Sequence, residues 1–201
     1  MKRLGVIVGV LFAVLLVLLN QSSLRNWDWA LQDTWYQEER AVDSRIAILA
    51  VDDASLAEIG QWPWDRDVHA QLVEKLSLGN PAVIGFDITF PLPSANPTDD
   101  TAFINAVERA GNVVLAQYGR FNSYAERGMI ESPELSEPFP ALKEAASGLG
   151  HLNTIPDADG VVRKALYQFN YNGEVKDSFS AVIARTYLEK QGQSLTVDEE
   201  A

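Results

Sequence analysis

Short apolar runs alternate with amphipathic segments along the first part of this chain, and this alternation limits the fold more than any other feature. Largely apolar runs occupy residues 45–51, 82–90 and 113–118. Between them, residues 65–78 and 98–110 carry apolar side chains at helical spacing. Continuous apolar runs are typical of strands that are buried on both faces. The pattern therefore predicts a βαβαβ unit built on a parallel sheet.

Turn signals in the last third predict additions to that unit. Residues 149–155 and 161–171 flank the stretch 157–160, which reads Asp-Ala-Asp-Gly and is expected to form a hairpin turn. Asn172-Gly173 is a second hairpin signal, and Ser178 is expected to cap a final helix. The predicted fold class is α/β, with a βαβαβ parallel-sheet core, an added C-terminal β-hairpin and a last helix.

The ends of the two predicted crossover helices carry recognisable signals. Asp65 is a suitable N-cap for the first helix, and residues 79–81, Gly-Asn-Pro, form its stop. Residues 98–100, Thr-Asp-Asp, are expected to open the second helix, where acidic side chains complement the helix dipole, and Gly111 closes it.

The N-terminus has the charge asymmetry of a membrane-targeting segment. Lys2 and Arg3 precede an uncharged, largely apolar run of 16 residues from Leu4 to Leu19. A bilayer-spanning helix needs roughly 20 residues, and a secretory signal peptide shares the same basic and apolar regions. Because no Ala-x-Ala cleavage signal follows, we expect residues 1–21 to be an uncleaved anchor of the inner membrane. Positive flanking residues stay inside, so the rest of the chain is expected in the periplasm or outside the cell.

The remaining boundaries follow from periodicity and polarity. Leu24, Trp27, Leu31 and Trp35 lie at helical spacing, which predicts a juxtamembrane helix over residues 22–40. Its tryptophans suit either the membrane interface or packing on the domain. A folded domain is predicted over residues 41–190 and a flexible tail over residues 191–201.

Composition excludes several classes of function. The net charge of −12 argues against a nucleic-acid partner, because such proteins carry a basic surface. The chain has no cysteine, which excludes disulfides, thiol nucleophiles and Cys-ligated zinc. His69 and His151 are the two histidines, and their spacing predicts no metal site. The stretch that begins at Asp157 has Val161, Val162 and Gln168 where a calcium loop needs Asp or Asn, Gly and Glu.

Templates for catalysis are also missing from the sequence. It contains no glycine-rich phosphate loop, no Gly-x-Ser-x-Gly elbow and no His-Glu-x-x-His motif. We therefore predict no catalytic residue and no cofactor.

Ionisable and aromatic residues cluster where the predicted strands end. In parallel sheets the ligand site lies beyond the carboxyl ends of the strands. Acidic residues stand at or near the ends of the first two predicted strands, and a Trp-Pro-Trp motif with Arg and His follows the first. The expected ligand site comprises Asp52, Asp53, Trp62, Trp64, Arg66, His69 and Asp87, with Arg163 as a further charge partner. The alternative is an internal salt bridge that fixes the loop and binds no ligand.

The same residues resemble the CHASE2 domain, an extracytoplasmic sensor module of bacterial membrane signalling proteins. The resemblance covers roughly residues 24–190 and includes Asp33, residues 52–56, Gly60, Trp62-Pro63-Trp64, Arg66, His69, Gly85-Phe86-Asp87, Phe90, Asp99, Asp100, Gly150, Asn153, residues 157–163 and Ser178-Phe179. It implies a non-catalytic sensor placed between a first membrane helix and a later set, usually of three. Its usual output is a cytoplasmic adenylate cyclase, histidine kinase, serine/threonine kinase or diguanylate cyclase. The resemblance names no ligand.

Relative to that family the chain ends early, at Ala201, and we expect a fragment of a longer receptor or a stand-alone remnant. A missing half would leave a sheet edge exposed, so a second copy or the missing half is an expected partner. The expected function is detection of an unknown small-molecule or protein signal, passed across the membrane. The alternatives are a metal-assisted hydrolase that uses the strand-end carboxylates and a protein–protein assembly module.

Overall fold

The computed structural model describes residues 2–19, 29, 31, 33–34, 42–121, 129–157 and 159–194. The chain divides into two compact units, Met1–Val51 and Asp52–Ala201. The predicted juxtamembrane helix over residues 22–40 lies almost wholly outside the described residues, and so does the predicted tail beyond residue 194.

Among its described residues, the first unit contains helix α1 (Lys2–Leu19), and residues 29, 31, 33 and 34 are also helical. No helix in the described ranges is both long enough and apolar enough to cross a membrane. The prediction of a membrane-spanning helix is therefore not supported by the structure.

The predicted strand over residues 45–51 is wrong. These residues form no strand, and Ile48 leaves 85% of its surface exposed. The preceding turn is satisfied locally, because the Asp43 carbonyl accepts from the Ile46 amide at 3.0 Å and the Asp43 carboxylate pairs with Arg45. An apolar run becomes a strand only where a neighbouring strand takes up its backbone hydrogen bonds, and none does so here among the described residues.

The second unit alternates helices with short strands. Its elements in chain order are α2 (Asp53–Ile59), α3 (Arg66–Ser77), β1 (Ile84–Phe86), α4 (Pro97–Ala110), β2 (Val113–Arg120), β3 (Glu134–Ser136), α5 (Pro140–Ala145), β4 (Gly148–His151), β5 (Gln168–Tyr171), β6 (Glu174–Asp177) and α6 (Phe179–Lys190).

The main sheet is centred on β2 and is mixed rather than purely parallel. Strands β1 and β4 pair with β2 in parallel, whereas β3 pairs with its C-terminal end antiparallel. A βαβαβ unit is present, but it runs β1–α4–β2–α5–β4 and so begins one strand later than predicted. Its third parallel strand is β4, which the turn signals had assigned to a hairpin arm.

The two hairpin predictions had different outcomes. Strands β5 and β6 pair antiparallel across Asn172-Gly173, which confirms the second hairpin. A tight turn does form at Asp157, whose carbonyl accepts from the Gly160 amide at 2.8 Å. No strand pair flanks this turn, because residues 148–151 take their partners from β2 instead.

The predicted helix ends are largely confirmed. Gly111 ends α4 in the left-handed conformation, with φ 62°, and its amide donates to the Val107 carbonyl. Ser178 caps α6 by accepting from the Ala181 amide at 3.3 Å. Asp65 does occupy the N-cap position of α3, but its side chain makes no capping hydrogen bond.

The core lies between helices α3 and α4 and the sheet. Residues Val73, Phe86, Phe103, Val107 and Leu115 pack there, out of contact with solvent. The helical spacing of Phe103, Ala106, Val107 and Ala110 directs the apolar stripe of α4 onto this core. This packing places the N-termini of α3 and α4 beside each other.

Gly150 allows α6 to dock on β4. A Cβ atom at this position would lie 2.4 Å from the Phe179 Cα and 2.8 Å from its amide nitrogen. We expect Gly150→Ala to lower the free energy of unfolding by about 2–3 kcal/mol, because backbone cannot move aside cheaply. Denaturant unfolding measures the change.

Gly148→Ala is the matched control on the same face of β4. Its added Cβ would meet a side-chain methyl, Val182 Cγ1 at 2.8 Å, which can move aside. We expect a smaller loss for this variant. Equal losses for the two variants would contradict the explanation from backbone contact.

Candidate functional site

The connection between α2 and α3 carries the two tryptophans of the predicted site. The Trp62 and Trp64 rings meet edge to face, with centroids 5.4 Å apart, and the Trp62–Pro63 peptide bond is cis. Trp64 Nε1 donates to the Gly60 carbonyl at 2.8 Å, which orients its ring. Trp62 stays 37% exposed and forms a rim that solvent can reach.

His69 lies directly beneath this rim. Its ring centroid is 5.7 Å from that of Trp62 and 6.5 Å from that of Trp64. On its other side it contacts Phe90 at 5.3 Å and Phe103 at 5.7 Å. Only 2% of His69 is exposed, so the imidazole is part of an aromatic cluster that joins the rim to the core.

Arg66 and Asp100 form a nearly buried pair at the facing N-termini of α3 and α4. Arg66 Nε lies 3.8 Å from Asp100 Oδ1, which is longer than a hydrogen bond. The guanidinium carbon stands 4.5 Å above the Phe90 ring centroid, and Nη2 donates weakly to the Leu92 carbonyl at 3.4 Å. Asp100 Oδ2 accepts from the Ser94 amide at 2.9 Å.

Three polar atoms in this region are buried without a hydrogen-bond partner. They are Arg66 Nε, His69 Nε2 and Asp100 Oδ1. A buried polar atom left unpaired costs about 1–3 kcal/mol, and native structures contain few of them. Their concentration in one place therefore points to a missing hydrogen-bonding partner. We call the six residues Trp62, Trp64, Arg66, His69, Phe90 and Asp100 the rim cluster.

Burial controls the protonation of the rim cluster. Desolvation, reinforced by the positive charge of Arg66, lowers the pKa of His69 to about 4, so the imidazole is neutral at neutral pH. Burial also lowers the pKa of Arg66, while Asp100 acts in the opposite direction. The guanidinium nevertheless stays charged, because its ordinary pKa is far above neutrality.

Of the eight residues that the sequence predicts for the ligand site, four belong to the rim cluster and four do not. Trp62, Trp64, Arg66 and His69 all belong to the rim cluster. Asp52 instead caps α2 by accepting from the Ser55 amide at 2.9 Å, and Asp53 lies in the first turn of that helix; both are exposed. Hydrogen bonds from Ser55 lower the pKa of Asp52. Because residues 45–51 form no strand, these acids do not mark a strand end.

Asp87 and Arg163 are also placed elsewhere. Asp87 follows β1 and is exposed. Arg163 pairs with Asp157 at 3.0 Å and with Asp159 at 2.8 Å, which locks the turn at residues 157–160. That Arg163 also serves the ligand site as a charge partner stays a prediction, since the ion pairs described above join it to carboxylates of its own turn.

Sequence reasoning missed two members of the rim cluster, Asp100 and Phe90. Asp100 was interpreted as an acid that complements the dipole at a helix start, yet only 6% of it is exposed. Its position three residues before Phe103 puts it on the core-facing side of α4, and that spacing was the available signal. Phe90 was assigned to the end of the predicted strand over residues 82–90, but β1 ends earlier, at Phe86, and Phe90 packs under Arg66.

Three carboxylates lie close together beside the Arg66–Asp100 pair. One oxygen each from Asp65, Asp67 and Asp99 falls within 4.8 Å of the others, at the N-termini of α3 and α4. Asp99 accepts from Asn96 Nδ2 at 2.8 Å. Such groups are common on protein surfaces without an ion, so we describe them as an acidic margin of the rim cluster.

His151, the other histidine, belongs to a separate buried group. It is the register partner of Gln117 on β2, and its ring centroid is 4.8 Å from that of Phe169. Burial lowers its pKa, although the Tyr167 carbonyl and the Asp177 carboxylate oppose the shift.

The sequence of residues 9–200 matches the family model of the CHASE2 domain. The chain belongs to the CHASE2 family. This is a family of extracytoplasmic, non-catalytic sensor domains. The match confirms the resemblance predicted from the sequence. No curated protein and no solved structure matches the chain.

The depressed pKa of His69 makes a prediction about acid stability. The unfolded chain binds a proton on this residue below about pH 6.5, whereas the folded protein binds it only near pH 4. Stability from the neutral imidazole is therefore complete above pH 6.5 and is lost as the pH falls towards 4. Between pH 7 and 4.5 we expect a loss of about 2 kcal/mol in the free energy of unfolding.

Denaturant unfolding of the parent protein and of His69→Phe, repeated across this pH range, tests whether His69 causes the acid sensitivity. The comparison rests on the pH dependence of each protein, so a change in absolute stability does not matter. We expect a flatter profile for the variant over this range. Parallel profiles would assign the acid sensitivity to other groups.

Proposed function

We propose that this CHASE2 domain senses an extracytoplasmic ligand that binds at the rim cluster. The observation that carries the proposal is the group of three unpaired buried polar atoms, on Arg66, His69 and Asp100, under a half-exposed tryptophan rim. Binding sites combine aromatic walls with a few polar groups that fix orientation, and the rim cluster has both. The family supports a sensory role but supplies no ligand.

The position of the rim cluster suits a switch. Arg66 begins α3 and Asp100 lies in the first turn of α4, so a ligand that bridges them changes how strongly the two helices are held together. A ligand shifts a conformational equilibrium only through different affinities for the two states. We propose that the bound state holds these helix ends more tightly than the free state.

Membrane attachment through residues 1–21 remains a proposal. What supports it is the sequence pattern, Lys2 and Arg3 followed by the apolar run to Leu19, together with an extracytoplasmic family. On this proposal the signal leaves the domain through the segment over residues 22–40.

An assembly module is the second candidate, and one observation favours it. Ile46, Ile48 and Leu49 are each more than half exposed in an apolar, extended segment. A partner chain would remove this surface from water. The third candidate, a hydrolase using strand-end carboxylates, has no comparable support, because Asp52 and Asp87 are separate exposed residues.

Ligand binding is tested by thermal unfolding of the full chain in detergent against a metabolite panel. A ligand that binds only the folded state raises stability by about 2.7 kcal/mol at a hundredfold excess over its dissociation constant. We expect Trp62→Ala to weaken binding at least tenfold, because the rim loses its exposed wall. Tyr118→Ala, an exposed aromatic residue on β2, is the matched control and should bind normally.

Each result discriminates between the candidates. A shift that Trp62→Ala abolishes and Tyr118→Ala preserves supports the sensor. If no compound moves the unfolding midpoint while the protein self-associates through residues 46–51, the assembly module replaces the sensor as the proposed function.

Location is tested with a C-terminal alkaline phosphatase fusion, an enzyme that is active only after export. We expect activity from the full chain and none after deletion of residues 2–21. An inactive full-length fusion that is stably expressed would overturn the proposed extracytoplasmic placement.

A further inference from the structure

Arg66 Nε and Asp100 Oδ1 are too far apart for a direct hydrogen bond, but one oxygen atom beside the line that joins them can bridge both. Arg66 Nε and Asp100 Oδ1 are 3.8 Å apart, and neither has another hydrogen-bond partner. An oxygen placed about 2.9 Å from each would accept from the guanidinium and donate to the carboxylate. Only a hydroxyl group or a water molecule does both through one atom.

The charges around Arg66 and Asp100 limit the net charge that the ligand can carry. Asp65 and Asp67 flank Arg66 in sequence and Asp99 precedes Asp100, so an anion would approach three surface carboxylates that lie together. A cation would meet Arg66, whose own charge is already poorly solvated. A wholly apolar ligand would leave Arg66 Nε, His69 Nε2 and Asp100 Oδ1 unpaired, at the cost given above. A neutral molecule with hydroxyl groups avoids repulsion from the carboxylates, repulsion from Arg66 and the cost of unpaired polar atoms.

The tryptophan rim suits the rest of such a molecule. The face of an indole ring is electron-rich, and it attracts the weakly positive C–H groups of a saturated, oxygenated ring. Trp62 is partly exposed at this rim, and its edge-to-face contact with Trp64 holds both rings in place. His69, neutral and buried beneath them, offers Nε2 to a further hydroxyl.

We infer that the ligand is a neutral saccharide or cyclic polyol, with one hydroxyl bridging Arg66 Nε and Asp100 Oδ1 and its ring stacked on Trp62. This inference rests on the proposed function and assigns its ligand class.

The experiment compares four classes of probe at millimolar concentration on the full chain in detergent. They are neutral saccharides and cyclic polyols (glucose, galactose, N-acetylglucosamine, myo-inositol), anions (citrate, phosphate), cations (choline, spermidine) and apolar compounds (benzene, toluene). Thermal unfolding and intrinsic tryptophan fluorescence report binding. Low concentration matters because molar polyols stabilise proteins without binding a site.

Arg66→Lys is the decisive variant. Lysine keeps the charge but removes the planar Nε donor that faces Asp100. We expect saturable saccharide binding in the parent protein and a loss of at least tenfold in the variant. Arg109→Lys, which alters an exposed arginine on α4, is the matched control and should bind as the parent does.

The outcomes separate this inference from the proposed function. Binding of an anion, cation or apolar compound that Arg66→Lys abolishes would overturn the ligand class and leave the sensor proposal intact. Saccharide binding that Arg66→Lys does not weaken would overturn the assigned geometry. No binding by any class, with tryptophan fluorescence of the parent protein also unchanged, would overturn both. If Arg66→Lys fails to fold, Trp62→Phe serves as the second variant, with the same expected loss of saccharide binding.

Discussion

The burial of His69 among five aromatic rings is the contact on which the rest of the domain depends. Trp62 and Trp64 lie on one side of the imidazole, and Phe86, Phe90 and Phe103 lie on the other. These rings come from the α2–α3 connection, from β1 and the residues after it, and from α4. One side chain therefore connects the rim, a crossover helix and the sheet. Its position also favours a neutral imidazole, because burial and the nearby positive charge of Arg66 both disfavour the protonated form.

The arrangement of Arg66 and Asp100 follows from that packing. Once α3 and α4 are set against the same core, their N-termini lie side by side, and each contributes one charged residue to the space between them. The two charges neutralise each other but remain 3.8 Å apart, so desolvation is offset only in part. In the proposed function, a third group supplied by the ligand completes this pairing.

The fold was predictable wherever local signals were strong. Helices α3 and α4 follow from apolar side chains at helical spacing, strand β2 from a mostly apolar run, and the turn at Asn172-Gly173 from its dipeptide. Each of these signals is local. The run at residues 45–51 has the same apolar character, yet it forms no strand. Pairing requires a partner with free backbone groups, and the apolar pattern of a segment does not specify where that partner lies. For the same reason β4 was assigned to a hairpin when its partner is the distant strand β2.

The sequence alone determined the CHASE2 family, the order of most elements and the Trp-Pro-Trp-x-Arg-x-x-His stretch from Trp62 to His69, because these depend on residues that are neighbours in the chain. Only the tertiary structure decided that Asp100, rather than Asp52 or Asp87, lies opposite Arg66. Helical periodicity places Asp100 on the inner face of α4, but its partner depends on how α4 packs against α3, which no local pattern encodes. The tertiary structure likewise decided that Arg163 is neutralised within its own turn and that three polar atoms at the rim cluster stay unpaired.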